Sequence, residues 1–466
     1  MNKFFEALAN VFRIPDLRKR VLFTLGLLAI YRIGAHIPTP GIDAIAFENY
    51  FTRAAQSGFL GYFDLFSGGN VRRMTIFALG ITPYITSSII LQLLTVVIPT
   101  LDKLQKEGEL GRRKITQWTR YLTVCLAIVQ SFGIAMALQS SDGNFVINPG
   151  WQFVALTMLT FTAGSAFIMW LGEQITDRGV GNGMSLIIFT GIVVGLPRAI
   201  ESIYVNTFVN QTWNKLQMIL IIAVMVAVVA FVVLVERGER RIPVQYAKRI
   251  IGRRMMGGQS THLPLKVNAG GVIPIIFASS LLALPSTFLQ FAPFKNSRYA
   301  TSFFGAFGNA EPLYYLAFIL LIVFFCFFYI SIIFNPAEAA DNMRKYGGFI
   351  PGIRPGKNTA DYMDKILSKI TVVGGLYLSV LSIIPSIMIS GIKLQHLPPP
   401  ALGQFIDSHF PRWLLDGLGV NFYFGGTSLL IVVGVAMDTV NQIEAQLIMR
   451  HYEGFTPRAG RIRGRR

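Results

Sequence analysis

Two glycine-rich segments and five histidines are the residues of this sequence whose types could support chemistry, and their spacing predicts no catalytic centre. The segment 352–358 resembles a phosphate-binding loop only loosely, because its glycine spacing is wrong and Asn358 stands where Ser or Thr would bind magnesium. The glycine-rich run 179–183 opens an apolar segment and does not follow a strand, so a dinucleotide-binding role fails on context. The histidines are scattered, and no metal-ligand cluster stands out. We therefore expect neither an enzyme nor a metal or cofactor site.

Asp438 is the clearest ionisable residue inside an apolar run, and Asn441, Gln442 and Glu444 follow it. An ion-coupled transporter usually carries several carboxylates or histidines at such positions as a relay for protons or sodium. This sequence offers few. Both a structural, hydrogen-bonded role and a transport role for Asp438 stay open at this point.

Isoleucines recur at spacings that place them on common helical faces. Ile81 and Ile85 lie one turn apart, and Ile188 and Ile192 repeat that arrangement further along the chain. A ring of branched aliphatic side chains excludes water and ions by dewetting, yet its members can retreat around a larger passing object. For each isoleucine taken singly, core packing or lipid contact is the alternative. The predicted constriction consists of Ile81, Ile85, Ile188, Ile192, Ile276 and Ile431.

The elements that must position these residues are apolar helices. The chain has 466 residues, of which 52% are hydrophobic and 14% charged, with a mean hydropathy of +0.51. This composition indicates a polytopic membrane protein, whose helical spans need roughly 20 residues each. We expect about ten spans. They lie near 18–36, 74–98, 118–139, 151–172, 183–203, 214–235, 268–290, 312–334, 369–391 and 424–447.

Positive charge is sorted to one side of these spans. Most of the 42 Lys and Arg residues fall in the N-terminus, in the segments near 99–120, 236–266 and 335–369, and in the C-terminal tail. This is the positive-inside pattern, and an even number of spans then places both termini in the cytoplasm. The net charge of +18 needs no nucleic-acid partner to explain it. The first twenty residues have the spacing of an amphipathic helix on the inner surface.

The second and seventh spans share a motif at the same spacing. Gly80-Ile81-Thr82-Pro83 with Ser88 in one span corresponds to Gly271-Val272-Ile273-Pro274 with Ser279 in the other. The glycine, the proline and the hydroxyl groups are expected to weaken the backbone hydrogen bonding within each apolar helix. If ten spans divide into five and five, the halves face opposite ways, and such paired interruptions mark the path of a substrate. Ordinary proline kinking is the alternative. The expected fold is all-α, with two inverted five-helix halves, 1–210 and 211–466, around a central pore.

The segment 61–70, ahead of the second span, is apolar and far too short to cross a bilayer. Its glycines predict a hinged element that folds back into the protein from the outer side. A plain amphipathic loop helix is the competing interpretation.

Four long motifs stand out in the sequence: the run 77–121, GVGNGMSLIIF at 179–189, QSTHLPLKVNAGGVIPIIFASS at 259–280 and GGFIPGIRPGKNTADYMDKI at 347–366. These motifs resemble the SecY/Sec61 alpha family of protein-conducting channels. The similarity covers essentially all ten predicted spans.

The resemblance implies roles for particular residues. The six isoleucines coincide with the pore ring of the family, and the second and seventh spans with its lateral gate. The residues expected to hold that gate shut by hydrogen bonds are Thr86, Ser87, Gln130, Asn268 and Ser279. The segment that corresponds to the plug, resting on the outer side of the ring, contains Tyr62, Phe63, Asp64, Leu65, Phe66, Ser67, Gly68 and Gly69.

The resemblance also implies partners and a location. Arg253 and Arg254 match the basic loop tip that meets the ribosome, and Arg354 matches the loop arginine needed for work with the ribosome and the SecA motor. A guanidinium group suits RNA phosphates and protein carboxylates alike. Further expected partners are the SecE and SecG subunits, signal sequences, nascent polypeptides and membrane lipid. The expected location is the bacterial cytoplasmic, or inner, membrane. The tail 458–466 departs from the family pattern.

Two other functions compete with a protein channel. A secondary transporter or lipid flippase could use the same inverted repeat, but it predicts intramembrane charges that are scarce here. A membrane anchor that docks ribosomes without conducting would explain the basic loops but leave the paired motif unexplained.

Overall fold

The computed structural model describes residues 14–54, 67–139, 145–209, 215–246, 249–251, 254–256, 260–288, 312–390 and 427–453. Helices dominate these residues. In chain order they are α1 Pro15–Gly34, α2 Ala44–Ala54, α3 Thr82–Val97, α4 Pro99–Lys106, α5 Glu109–Gln139, α6 Trp151–Arg178, α7 Gly183–Val194, α8 Leu196–Tyr204, α9 Lys215–Glu236, α10 Ile273–Phe288, α11 Pro312–Ile333, α12 Pro336–Lys345, α13 Lys357–Ser390 and α14 Thr427–Glu453, with a π-helical turn at Val205–Val209. The strands are β1 Glu239–Tyr246, β2 Arg249–Ile251, β3 Arg254–Met256, β4 Ser260–Lys266 and β5 Gly348–Phe349.

Every predicted span coincides with at least one of these helices, in agreement with a polytopic membrane protein. Among the described residues, six helices are long and apolar enough to cross a membrane, or seven if α3 and α4, which are bent by 101°, form one span. Two further apolar helices are shorter: α7, and the part of α10 from Ile273 to Leu282.

The repeated motif starts helices and does not interrupt them. Gly80 and Gly271 have φ values of +56° and +59°, a conformation that glycine adopts without steric cost. The helices α3 and α10 begin two residues later. Pro83 and Pro274 therefore lie in a first helical turn, where a missing N–H costs no hydrogen bond. The expectation that proline weakens the hydrogen bonding inside each helix is wrong, and the shared motif is a repeated helix start.

The basic connection after α9 folds into strands that the sequence pattern did not predict. β1 pairs antiparallel with β4 on one edge and with β5 on the other. Ile242 and Val244 alternate with exposed residues along β1 and are buried. The buried residues Leu265, Met363 and Leu367 share a core cluster with Ile242, so the sheet rests on the start of α13.

The described chain forms two compact units. The first contains the described residues up to Gly195 and from Ile431 onward, and the second contains those from Leu196 to Leu430. In the first, an apolar cluster joins α2, α5 and α6. Its buried members include Phe47, Phe51, Leu138, Phe145, Phe153 and Phe161. The inverted relation between the halves 1–210 and 211–466 stays a prediction.

Candidate functional site

Four of the six predicted ring isoleucines are buried. Ile81, Ile188, Ile192 and Ile431 are between 1% and 8% exposed. Ile85 and Ile276 are half-buried. On α11, by contrast, Leu316 and Leu320 are 56% and 62% exposed, as expected for side chains that face lipid. Five of the ring residues belong to the first unit, and Ile276 belongs to the second.

Helix α7, which carries Ile188 and Ile192, is fixed at its first residue. The Asn182 side chain accepts hydrogen bonds from the backbone N–H groups of Met184 and Ser185, at 3.1 and 3.3 Å, and so caps the helix. The Gly183 N–H donates to the Thr176 hydroxyl of α6 at 2.9 Å. The glycine-rich run 179–183 is thus a capped helix start.

Glycine allows α6 and α7 to approach closely at that start. A Cβ atom at Gly183 would overlap the carbonyl oxygen of Gly172 on α6 and would lie 2.8 Å from the Ile175 Cβ. Just before α7, the Val180 N–H donates to the Thr24 hydroxyl of α1 at 3.1 Å. The orientation of the ring-bearing helix is therefore set by contacts of backbone with backbone and with short polar side chains.

Of the predicted plug, the structure describes Ser67, Gly68 and Gly69, while Tyr62, Phe63, Asp64, Leu65 and Phe66 lie outside the described residues. The described part forms, with Asn70, a turn that we name the 67–70 turn. Gly68 and Gly69 have φ values of +71° and +85°. A Cβ atom at Gly68 would lie 2.6 Å from the Gly191 Cα of α7. The turn therefore packs directly on the helix that bears Ile188 and Ile192.

The 67–70 turn is also held by α1. The Tyr31 hydroxyl donates to the Ser67 carbonyl at 3.2 Å and accepts from the Asn70 side-chain amide at 3.2 Å. The Arg32 guanidinium approaches the Gly68 carbonyl at 3.5 Å. Tyr31 and Asn70 are 2% and 1% exposed, so these hydrogen bonds are shielded from competing water.

Two of the three predicted gate residues of the first unit, Thr86 and Ser87, make hydrogen bonds inside that unit. The Ser87 hydroxyl of α3 lies 2.6 Å from the Thr123 hydroxyl of α5 and donates to the Thr119 carbonyl at 3.3 Å. The Thr86 hydroxyl donates to the Thr82 carbonyl of its own helix at 3.0 Å. Gln130 is half-buried on α5. Ser87 therefore ties α3 to α5.

The predicted gate residues of the second unit are also engaged locally. Asn268 is buried, and its amide donates to the Glu236 carboxylate at the end of α9 at 2.6 Å and to the Gly271 carbonyl at 3.2 Å. The Ser279 hydroxyl donates to the Ile276 carbonyl at 3.0 Å. Asn268 thus joins the end of α9 to the turn that precedes α10.

Two of the three predicted docking arginines, Arg254 and Arg354, are described, and both lie in or beside the strands of the second unit. Arg354 is exposed in the turn between β5 and α13, where its carbonyl oxygen accepts a hydrogen bond from the Thr359 hydroxyl at 3.1 Å. Arg254 is the first residue of β3 and pairs with Ile251 of β2. Arg253 lies outside the described residues.

Sequence reasoning missed three polar contacts. They are the Tyr31 contacts to the 67–70 turn, the Glu236 contact to Asn268, and the ion pair between Arg120 of α5 and Glu173 of α6, with Nε and Oε1 2.7 Å apart. Each partner is a polar residue within or beside an apolar run, which is the only signal that the sequence offers. The partners of each pair are between 32 and 53 residues apart in the chain.

The sequence matches the family model described as SecY over residues 75–440. A protein translocase subunit SecY of Streptomyces scabiei is 48% identical to the chain over 458 residues, which cover 96% of this chain and 99% of the relative. The protein translocase subunit SecY of Escherichia coli K12 is 47% identical over 452 residues, covering 96% and 95%.

Solved structures give the same fold. One described as a protein-conducting channel aligns with a TM-score of 0.62 at 18% identity and covers 94% of both chains. Sec61 in a canine ribosome-channel complex from the endoplasmic reticulum aligns with a TM-score of 0.57 at 16% identity and covers 94% of both chains.

Proposed function

The chain belongs to the SecY family, and from that membership we propose that it is the channel-forming subunit of a protein translocase. It conducts unfolded secretory polypeptides across the bacterial cytoplasmic membrane and releases membrane helices sideways into lipid. The structural observation that carries this proposal is the burial of four isoleucines, Ile81, Ile188, Ile192 and Ile431. Many other large apolar side chains of this multi-pass membrane chain are exposed.

The proposed isoleucine ring blocks water and ions by its apolar character alone. We propose that the six isoleucines meet at the narrowest part of the pore, where branched aliphatic groups leave water no hydrogen-bonding partner and so keep the resting channel dry. Because dispersion contacts are individually weak, the side chains can separate when a polypeptide is driven between them and close again behind it.

The lateral gate sorts the passing segments by their affinity for lipid. We propose that α3 and α10, the helices that follow the repeated motif, flank this opening. A stretch of about 20 apolar residues is more stable in lipid by several kcal/mol and leaves sideways, whereas polar stretches continue through the pore. Since Thr86, Ser87, Asn268 and Ser279 each hydrogen-bond within their own unit, their part in the gate is to fix the helices that flank it.

Energy comes from outside the channel, because a channel of this kind hydrolyses nothing. We propose that the energy is supplied by translation at the ribosome, by the SecA motor with ATP, or by the membrane potential. SecE and SecG are the proposed partner subunits, and both termini and the strand-rich loops lie on the cytoplasmic side. The exposed turn with Arg354 supports this assignment, since a permanently charged guanidinium can pair with RNA phosphates or with carboxylates of a motor. The solved relative in a ribosome-channel complex supports the ribosomal partner.

Reconstitution tests the proposed function. The purified protein is placed in lipid vesicles with its partner subunits, SecA and ATP, and a secretory precursor is added outside. We expect the precursor to become resistant to protease in an ATP-dependent manner. If the precursor stays digestible while an established translocase protects it in parallel vesicles, the proposal is rejected.

The alternative of a secondary transporter or lipid flippase is not supported, because the curated relatives are protein translocase subunits. A transporter would accumulate a small solute in vesicles against a gradient, with no need for SecA. Solute uptake without protection of a precursor would contradict the proposed function.

Exchanging Arg354 for Glu should reduce partner-driven transport by at least about tenfold, because the pairing site for anionic partners then becomes repulsive. The initial rate of precursor protection measures this. Lys215→Glu is the control, since it makes the same charge change at an exposed residue at the beginning of α9. Normal binding of SecA and ribosomes by the Arg354→Glu protein would show that the docking assignment is wrong.

A further inference from the structure

Helix α7 packs against the 67–70 turn so closely that no side chain fits between them. Gly191 precedes Ile192 on α7, and the Gly68 backbone lies against the Gly191 backbone so closely that a Cβ atom on Gly68 would be 2.6 Å from the Gly191 Cα. A helix packed backbone to backbone at this point cannot move toward the 67–70 turn. Movement of Ile188 and Ile192 toward the turn therefore requires the turn to move first.

One hydroxyl group contacts both ends of the 67–70 turn, in addition to the Arg32 contact to Gly68. The Tyr31 hydroxyl contacts the turn on both sides of Gly68, as donor to the Ser67 carbonyl and acceptor from the Asn70 amide, each at 3.2 Å. Ser67 is 7% exposed and Asn70 is 1% exposed. Because little water can reach these groups, breaking the contacts leaves polar atoms unpaired.

Packing fixes the position of that hydroxyl. The Tyr31 ring is stacked on Phe77 with centroids 5.8 Å apart, and Phe77 is stacked on Phe167 of α6 at 6.1 Å. A Cβ atom on Gly34 would overlap the Phe77 ring, so α1 and Phe77 are in tight contact. Tyr31 therefore reaches the turn from a rigid position, and phenylalanine in its place would keep the same packing and lose only the hydrogen bonds.

We propose that Tyr31 is a specificity-determining residue of this channel. By holding the 67–70 turn against α7, its hydroxyl sets how strongly a signal sequence must act before the helix with Ile188 and Ile192 can move toward the turn. The inference rests on the proposed function. It assigns to a single hydroxyl the stringency with which weak signals are rejected.

The test is Tyr31→Phe in reconstituted vesicles, with two measurements. Halide efflux without partners should rise on the order of tenfold, since two hydrogen bonds that favour the resting ring are lost. Protection of a precursor with a defective signal should rise by a similar factor, while protection of a normal precursor stays at the wild-type level. Asn70→Ala should change both measurements in the same direction. Combined with Tyr31→Phe it should have little additional effect, because both substitutions disrupt the same hydrogen-bond network.

The control is Tyr121→Phe, which removes a hydroxyl that accepts a hydrogen bond from Gln117 on the exposed face of α5, and it should change neither measurement. Wild-type efflux and wild-type rejection of the defective signal in Tyr31→Phe would overturn the inference. The inference would also be overturned if protection of the normal precursor fell in proportion to the yield of folded protein, because Tyr31 would then be merely structural. If the wild-type protein protects no precursor, the proposed function fails, and the efflux measurement still decides the role of Tyr31.

Discussion

Ile431→Asn should make the resting channel leak ions and accept precursors with defective signals. Ile431 is 1% exposed on α14, so an amide at this position is placed in an apolar environment. An amide without a hydrogen-bonding partner costs roughly 1–3 kcal/mol in proteins, and water entering the ring removes that cost. The hydrated state should then gain roughly tenfold or more in population, since about 1.4 kcal/mol corresponds to a factor of ten.

The measurement is halide efflux from vesicles together with the ratio of protection rates for a defective and a normal signal. Ile431→Leu serves as the matched control, because it keeps the volume and the apolar character of the side chain. If efflux and signal selection are the same in both variants, Ile431 does not belong to a seal. Ile276→Asn should behave like Ile431→Asn if both residues belong to one ring.

Gly183→Ala should destabilise the protein, because the close approach of α6 and α7 leaves no space for a methyl group. The added Cβ would overlap the Gly172 carbonyl oxygen. No side-chain rotation can relieve this overlap, because the oxygen belongs to the backbone and the position of a Cβ atom is fixed by its own backbone. Overpacking of this kind costs about 1–3 kcal/mol. It also pushes α7 away from α6, so Ile188 and Ile192 should lose their positions and translocation should fall together with the yield of folded protein.

Thermal unfolding of the purified protein in detergent measures the effect. Gly26→Ala is the control, since Gly26 lies within α1 and a Cβ there would meet no atom within 4 Å. Alanine also favours the helix relative to glycine by about 1 kcal/mol, so this variant should be as stable as the wild type or slightly more stable. Equal unfolding temperatures for the two variants would show that the approach of α6 and α7 does not matter for stability.

The sequence alone was sufficient for the class of the protein, because the membrane imposes simple rules on composition. Apolar runs of about 20 residues must become helices, since only helices satisfy their backbone polar groups within one segment in lipid. Every predicted span accordingly coincides with a helix. The family followed from motifs such as the run 179–189, and the comparisons confirm it.

Local backbone conformation was predicted less well. The motif with Pro83 and Pro274 indicated interrupted helices, whereas both prolines lie in the first turn of a helix. Proline is compatible with a helix start and with a kink, so the residue type by itself does not distinguish them. The strands β1 and β4 were missed because a charged connection between apolar spans carries no strong alternating pattern.

Only the tertiary structure decided which polar groups meet. Ser87 was expected at the gate and hydrogen-bonds to α5, while Asn268 meets Glu236 and Tyr31 meets the 67–70 turn. Such pairs join residues between 32 and 39 positions apart. The positions of the spans depend on the free energy of transferring each segment from water into lipid, and the distribution of Lys and Arg sets their orientation. The composition of each segment by itself determines both. A hydrogen bond between two helices depends on their distance and rotation, which are fixed only when close-packed surfaces fit together.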